Sequence, residues 1–364
     1  MEGLIISFIF YNIIVLLIYK HYKRGEYKIS TKDLIWFTIA FIAYGTYGNH
    51  LGDYWRLNET IKLFGTTSEW DIGRSMEIQY YLLAKWVDGN YVLWRLVINV
   101  VAFVGLAFFL KKANMDNYPT LLLFATMCLF WTAGHRGWWG FIYYYFGVYL
   151  FFKTKKPWYL IFALFSYFAH ASYILLIALL PITFFRFNRY VAMGLIAFLG
   201  LGIGVFQEYY DGILANGLDD EYYAQKVETY ANQNLNNFFG ASSGEYLQNL
   251  FLKAPKFLFM IYMSKKAIFD KKYVRAMSRG QNALTNVSIL LFFVSVIASF
   301  MNLGTGTIAT RIMSMSTFPM LFLANYVLVG RKARYIPMMT MCFFLGIEFT
   351  YIFSIYYISV HGIV

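Results

Sequence analysis

Cysteine and charge are both scarce in this chain. Only two of its 364 residues are cysteines, Cys128 and Cys342, and both lie inside apolar runs. Two such cysteines provide neither a disulfide framework nor a metal cluster. Charged residues make up 14% of the chain, against about a quarter in soluble domains. Hydrophobic residues make up 59%, which is too much for one buried core, so the sequence predicts an integral membrane protein.

Several common functional motifs are missing as well. The sequence contains no HExxH or P-loop motif, which excludes the commonest membrane metalloprotease and NTPase families. The acidic run at 219–221 lacks the carboxylate spacing and the His or Cys partners of a metal site. We therefore expect no metal and no cofactor. No internal repeat is visible, so residues 1–364 are predicted to form a single membrane domain.

Apolar runs long enough to cross a bilayer recur along the whole chain. The first follows Glu2 and precedes a basic cluster, which indicates a retained helix and not a cleaved signal. The predicted fold is all-α and polytopic, with about 12 transmembrane helices. The runs cover 4–19, 34–49, 89–110, 118–134, 137–152, 157–169, 171–185, 190–206, 247–264, 282–301, 312–329 and 335–358.

Basic residues follow every second apolar run. Six such segments hold 21 of the 31 Lys and Arg residues: 20–32, 111–112, 153–156, 186–189, 265–279 and 331–334. Because cytoplasmic loops are enriched in Lys and Arg, these segments are predicted to be cytoplasmic and both termini to lie outside. The net charge of +12 is therefore a topology signal, and no nucleic-acid partner is expected.

Two of the predicted extracytoplasmic segments are long, namely 50–88 and 207–246. The second carries seven acids against Lys226 alone and is predicted to form a partly helical cap. Residues 157–185 lie between two basic segments, which predicts a hairpin of two short limbs with His170 at its turn. A single kinked helix is the alternative, but it would place the cations of 265–279 outside, against the positive-inside rule.

Cations on the predicted outer side are exceptions to the positive-inside rule. They are informative because a charge inside a membrane helix costs about 2.5 to 3.5 kcal/mol and so needs a partner or a watery cavity. Arg95 belongs to this outer set. Several arginines on the outer side suit a lipid-linked diphosphate, because each guanidinium group can donate two parallel hydrogen bonds to a phosphate and stays charged. The alternative is that these side chains only extend to interfacial water. The candidate diphosphate ligands are Arg56, Arg136, Lys253, Lys256 and Arg311.

An acceptor sugar hydroxyl would need a base within hydrogen-bond reach. The candidates are Asp53, Glu77 and His170. Either carboxylate could instead be a solvated loop acid, and His170 could satisfy a helix-end carbonyl. Abundant Trp and Tyr could stack on sugar faces, although aromatic belts at membrane interfaces explain many of them.

Four short segments carry a resemblance to a known family. They are GDYWRL with MEIQYYLL, then HRGWWGFIYYYFGVYLFFKTKK, and then FALFSYFAHASYILL. Together they resemble the EpsG-like branch of Wzy-type bacterial polysaccharide polymerases. The matching positions are Asp53 with Tyr54, Glu77, Arg136, His170 with Ser172, and the late Arg311. Two features depart from the commoner pattern of this family. They are the GWWG after Arg136 and the shift of Gly52 by one residue relative to Asp53.

The resemblance implies a metal-independent membrane glycosyltransferase of O-antigen or exopolysaccharide biosynthesis. Such enzymes transfer a growing glycan from undecaprenyl diphosphate to the non-reducing end of a lipid-linked repeat unit. They act on the outer face of the bacterial cytoplasmic membrane, where Arg136 and Arg311 would hold diphosphate. The implied partners are undecaprenyl-diphosphate-linked oligosaccharides and membrane lipids. A chain-length regulator is a further partner compatible with the resemblance.

Three other functions stay open from the sequence. The first is an O-antigen ligase or another glycosyltransferase that uses lipid-linked sugars, since these enzymes use similar arginines. The second is a flippase or transporter of a lipid-linked glycan, which would predict pseudo-symmetric halves and broken midplane helices. The third is a membrane acyltransferase with His170 as its base.

Overall fold

The computed structural model describes ten stretches of the chain. They are 2–48, 54–66, 78–130, 137–170, 173–185, 193–194, 197–198, 243–300, 306–327 and 335–361. These residues are almost entirely helical, and no strand forms among them. The predicted all-α fold is confirmed for this part of the chain.

The helices have the following bounds. The first seven are α1 (Glu2–Lys23), α2 (Thr31–Tyr47), α3 (Tyr54–Thr66), α4 (Ile78–Trp86), α5 (Tyr91–Ala113), α6 (Tyr118–Phe124) and α7 (Trp138–Thr154). The next seven are α8 (Trp158–Phe165), α9 (Ile174–Ala178), α10 (Ser243–Phe269), α11 (Lys271–Ala276), α12 (Arg279–Phe300), α13 (Gly306–Val327) and α14 (Tyr335–His361). A π-helical turn at Ala125–Leu129 extends α6, and 3-10 turns at Ser166–Ala169 and Leu180–Phe184 follow α8 and α9.

Side-chain caps fix the start of three described helices of unit 1. Each cap oxygen accepts a backbone N–H of the first turn, which has no partner inside the helix. The pairs are Ser30 with Asp33 N at α2 (3.1 Å), Asn90 with Leu93 N at α5 (3.1 Å) and Asn117 with Thr120 N at α6 (2.9 Å). Helix α5 then ends at Asn114, whose φ of 60° is in the left-handed region that Asn tolerates.

The chain divides into two compact units. Unit 1 comprises Met1–Leu179 and Ala324–Val364, and unit 2 comprises Leu180–Leu323. In unit 1, α2 packs on α5, α5 on α7, α7 on α8, and α1 on α6. Helix α14 packs on α1 and on the π-helical turn. The first and last helices of the chain are therefore neighbours.

Unit 1 has two ends of different chemistry. At one, the basic end, Lys111 Nζ donates to Thr31 Oγ1 (3.0 Å) and Lys153 Nζ donates to the carbonyl of Ala113 (2.9 Å). These contacts bring the carboxyl ends of α5 and α7 to the start of α2. Three of the six predicted cytoplasmic segments thus lie together. The other end, the His170 end, holds the starts of α5 and α7.

Unit 2 contains α10, α11, α12 and most of α13. The 3-10 turn Leu180–Phe184 packs on α12, where Asn286 Nδ2 donates to the carbonyl of Phe185 (2.9 Å). Ser288 Oγ donates to the carbonyl of Ser316, which joins α12 to α13. Polar side chains therefore join these apolar helices, as is common when helices associate in a lipid environment.

Three helices of the described chain are long and apolar enough to cross a membrane: Glu2–Lys23, Tyr91–Ala113 and Tyr335–Tyr356. Shorter apolar helices occur at Tyr118–Leu129, Trp158–Ala169 and Ile312–Ala324. Helix α1 is apolar on every side, since it buries Tyr11 and Ile14 while Ile6 (64%) and Ile9 (51%) are exposed. This distribution is typical of a helix in lipid. The finer prediction of twelve crossings stays a prediction.

Several predicted boundaries differ from the helices observed. The predicted outer segment 50–88 contains two helices, α3 and α4, which lack the long apolar run of a crossing. Helix α13 begins at Gly306, so Arg311 lies inside the helix, whereas the predicted run 312–329 placed it at the start of the crossing. Helix α10 extends beyond the predicted 247–264 at both ends. Hydropathy detects apolar length, whereas helices continue through polar residues as long as their backbone bonds are satisfied. Of the predicted cap at 207–246, residues 207–242 lie outside the described residues, and Ser243 begins α10.

Candidate functional site

Glycines on one face of α7 let the next segment approach its backbone. A methyl group on Gly147 would lie 2.7 Å from the carbonyl oxygen of Tyr159. One on Gly140 would lie 2.6 Å from Cβ of Ala169. Real Cβ atoms do not approach other heavy atoms so closely, so the packing of α8 and its 3-10 turn on α7 requires glycine at both positions. The chain consequently runs along α7 towards the His170 end of unit 1.

Three buried tyrosine hydroxyls donate hydrogen bonds to backbone carbonyls where α4, α7 and the segment around His170 meet. Tyr173 donates to the carbonyl of Gly137, and Tyr80, in α4, donates to the carbonyl of Ala169. Tyr144 donates to the carbonyl of Leu176 over 2.6 Å. These carbonyls belong to turns and short helices, whose backbone groups are not all paired internally. The tyrosines therefore join α4, α7 and the 166–178 segment into one site.

His170 lies at the point where the chain turns back along α7. Its backbone is extended (φ −166°, ψ 137°), and its carbonyl accepts the N–H of Tyr173 (2.9 Å). The side chain is half-buried, and a methyl group on Gly137 would lie 3.1 Å from its Cβ. Gly137 directly follows Arg136 in the sequence. The structure thus brings His170 to the start of the helix that the Arg136 motif opens.

The structure describes some of the other predicted site residues and not others. Asp53, Glu77 and Arg136 lie outside the described residues; α3 begins one residue after Asp53, and α4 one residue after Glu77. Arg56 lies in the first turn of α3, and Arg311 in α13. Lys253 and Lys256 lie in α10 of unit 2, where Lys256 is half-buried. Of the predicted set, the structure therefore describes the surroundings of His170 in most detail.

Arg95 is a buried cation next to this site, and the sequence assigned it no role. Its side chain is only 1% exposed, and Nη2 donates to the carbonyl of Gly48 over 2.7 Å. The preceding residue, Trp94, packs its ring 5.4 Å from that of Tyr80. Arg95 and the tyrosine-fastened region thus share the start of α5. An arginine inside an apolar run was the signal that could have identified it.

A buried cluster of hydroxyl groups lies on the other side of Gly48. Tyr351 shares hydrogen bonds with Tyr44 (2.5 Å) and with Ser7 (2.9 Å). A methyl group on Gly48 would lie 3.2 Å from Oγ of Ser7. The cluster joins α1, α2 and α14, and Tyr351 lies more than 300 residues from both Ser7 and Tyr44 in sequence. Hydropathy could not predict it, because isolated Tyr and Ser side chains give no signal in an apolar run.

Glu348 adds a carboxylate within α14. Asn12 Nδ2, on α1, donates to its Oε1 over 2.9 Å. An acid on an apolar helix usually requires such a partner. The sequence assigned Glu348 no function, because the candidate charges lie near the ends of the apolar runs and Glu348 lies within one. Neither residue has a recognisable motif around it.

The chemistry available at the His170 end is that of an imidazole, a buried guanidinium and several phenols. The large rings of α7 mostly contact one another: Trp139 is buried between Tyr143 and Phe165, whereas Trp138 is half-buried. Trp138 is therefore the better placed of the two for stacking on a sugar. Within the described stretches, no group of three or more His, Cys, Asp or Glu side chains could hold a metal ion.

Comparisons with protein-family models, with curated proteins and with solved structures find no match to this chain.

Proposed function

We propose that this chain is a multi-pass glycosyltransferase of the bacterial cytoplasmic membrane that polymerises lipid-linked glycans, as Wzy-type polymerases do. One observation carries the proposal. His170 lies against Gly137, the residue after Arg136, and Tyr80, three residues after Glu77, donates to the carbonyl of Ala169. Three of the segments on which the resemblance rests therefore meet at one end of unit 1.

The membrane location is supported by the helices themselves. Three are long and apolar enough to cross, and the cations of three loops gather at the end of unit 1 opposite His170. If that basic end faces the cytoplasm, in accordance with the positive-inside rule, His170 faces outward. That is the side on which undecaprenyl-diphosphate-linked glycans are joined in this family.

The proposed reaction is a displacement at the anomeric carbon of the growing glycan. The bond from this carbon to the lipid diphosphate breaks, and a bond to the acceptor hydroxyl oxygen forms. The acceptor proton passes to a base, for which His170 is the first candidate and Asp53 and Glu77 the others. Arg136, with Arg56, is the proposed group that neutralises the departing diphosphate, and Arg311, Lys253 and Lys256 stay candidates predicted from the sequence.

The direct test uses the purified full-length protein and a defined lipid-diphosphate oligosaccharide. We expect a ladder of longer glycans on a gel. Replacing a general base usually costs a factor of about 10² to 10⁴, so His170→Ala should reduce the ladder by at least about 100-fold. The matched control is His21→Ala at the basic end, which should retain the ladder. Full activity in His170→Ala would remove this residue from the mechanism.

A second variant tests the diphosphate site. Arg136→Ala combined with Arg311→Ala should abolish elongation, and a ladder that survives both changes contradicts the assignment. Transfer to another acceptor without a ladder would indicate a ligase. Vectorial movement of the lipid without a new bond would indicate a flippase. Loss of activity on chelation, restored by a divalent ion, would refute the metal-independent mechanism.

A further inference from the structure

The basic end of unit 1 carries a large excess of positive charge. Its three loops and helix ends contain ten cations: Lys20, Lys23, Arg24, Lys28, Lys32, Lys111, Lys112, Lys153, Lys155 and Lys156. The same segments contain three acids, Glu26, Asp33 and Asp116. Such an excess attracts anions unless the acids lie among the cations and neutralise them.

Hydrogen-bonding groups other than lysine and arginine contact the carboxylates of two of these acids. Glu26 Oε2 lies 2.7 Å from Nδ1 of His21. Asp33 accepts hydrogen bonds from the hydroxyls of Ser30 (2.7 Å) and Tyr118 (3.0 Å). Asp116 is buried, and its backbone carbonyl accepts the N–H of Ile29 (3.0 Å). Even if each acid offsets one cation, as Asp33 does in part for Lys32, seven of the ten positive charges remain at this end.

The cations form one continuous surface. Lys28 pairs with Asn117 through an antiparallel bridge, so the loop after α1 lies against the start of α6. Lys111 reaches Thr31, and Lys153 reaches the carbonyls of Lys112 and Ala113. Loop 24–32 thus adjoins the end of α5, which in turn adjoins the end of α7. Lys111 and Lys153 are used in these contacts, whereas the remaining cations are exposed.

Exposed aromatic rings border this surface. Trp158 is 49% exposed, and Lys156 Nζ lies 4.8 Å from the centre of its ring. Tyr27 is 62% exposed on the loop after α1. Trp and Tyr prefer the headgroup level of a bilayer, where one part of the ring is apolar and the other wet. The surface also lies at the ends of α1 and α5, two of the helices apolar enough to cross.

We propose that six exposed cations form a basic strip that binds the phosphate headgroups of anionic phospholipids, with the acyl chains lying along the apolar helices. The strip consists of Arg24, Lys28, Lys32, Lys112, Lys155 and Lys156. A lipid satisfies both parts of the surface, because its phosphate meets the ammonium groups and its chains meet exposed apolar side chains such as Phe108 and Ile35. The proposal does not depend on the reaction that unit 1 catalyses.

Native mass spectrometry of the full-length protein in neutral detergent tests this directly. Phosphatidylglycerol and phosphatidylcholine with the same acyl chains are added separately, and lipid adducts are counted. Phosphatidylglycerol should be retained selectively. Each cation near an anionic surface contributes about a fivefold gain in affinity, so Lys28→Gln, Lys32→Gln, Lys155→Gln and Lys156→Gln combined should weaken retention by about 600-fold.

The matched control removes equal charge from unit 2, with Lys265→Gln, Lys271→Gln, Lys272→Gln and Arg275→Gln. We expect it to retain the lipid. Equal loss in both variants, or unchanged retention in the first, would overturn the proposal. If the fourfold variant does not fold, Lys155→Gln with Lys156→Gln gives the same test with about a 25-fold effect. Selective retention of a 20-nucleotide DNA in place of phosphatidylglycerol would also overturn it.

Discussion

The substitution Gly140→Ala directly tests the close packing at the His170 end of unit 1. The added Cβ would overlap the ring of Tyr173 and would lie 2.6 Å from Cβ of Ala169. Both neighbours are buried, Tyr173 at 3% and Ala169 at 0% exposure, so neither has open space into which to move. The Tyr173 ring also carries the hydroxyl that donates to Gly137. The substitution should therefore displace the segment that holds His170.

The expected loss of stability follows from two opposing contributions. Overpacking a dense core costs about 1 to 3 kcal/mol, and replacing Gly by Ala within a helix recovers up to about 1 kcal/mol. A net loss of about 1 to 2 kcal/mol should lower the unfolding temperature by roughly 2 to 8 °C for a unit of this size. Thermal unfolding of the detergent-solubilised protein, followed by circular dichroism or by tryptophan fluorescence, measures this shift.

Gly194→Ala is the matched control, since nothing lies within 4 Å of a Cβ added there. It should leave the unfolding temperature unchanged or raise it slightly. Tyr173→Ala removes the ring that Gly140→Ala would overlap, so the double variant should lose less stability than the two single losses together. Additive losses, or a Gly140→Ala protein that unfolds at the wild-type temperature, would refute the close packing described above.

Three further predictions concern unit 1. Arg95→Gln should lose about 1.5 to 3 kcal/mol, the value of a hydrogen bond to a charged group, and an unchanged unfolding temperature would contradict it. Tyr44→Phe should cost about 1 kcal/mol and Tyr351→Phe about 2 kcal/mol, since Tyr351 also bonds Ser7, and the double variant should cost less than the sum because the two tyrosines share one bond. The Ser30 hydroxyl, followed by that of Tyr118, holds the pKa of Asp33 below its usual value. This stabilisation is full above the unfolded pKa of about 3.9 and is lost as the pH falls through the folded value. The stability difference between wild type and Asp33→Asn, measured by thermal unfolding from pH 7 to pH 3, should accordingly shrink towards the acid end; a constant difference would argue against the sign.

The sequence predicts the helices of this chain well where apolar length alone decides them. Helices α5 and α14 lie close to the predicted runs 89–110 and 335–358. It does less well where a helix contains polar residues, as in α3, α4 and the first part of α13. Their backbone bonds form regardless of hydropathy, so a pattern of apolar residues cannot mark their ends.

The candidate site, too, was predictable from the sequence only in part. His170 was found from its motif, and the structure adds that Gly137 lies against it. The pairing of Asn12 with Glu348 joins residues 336 positions apart. No local pattern contains that information, because the partner of a buried polar group is chosen by the packing of helices that are distant in sequence.

Composition and charge spacing by themselves determined that this chain is helical and lipid-compatible, and which loops carry its cations, because these properties depend on each segment separately. Only the tertiary structure decided that three of those loops form one basic surface, that Arg95 binds the carbonyl of Gly48, and that tyrosines from α4 and α7 secure the backbone around His170. These are contacts between segments. They follow from small residues that let helices approach and from buried polar groups that must find a partner.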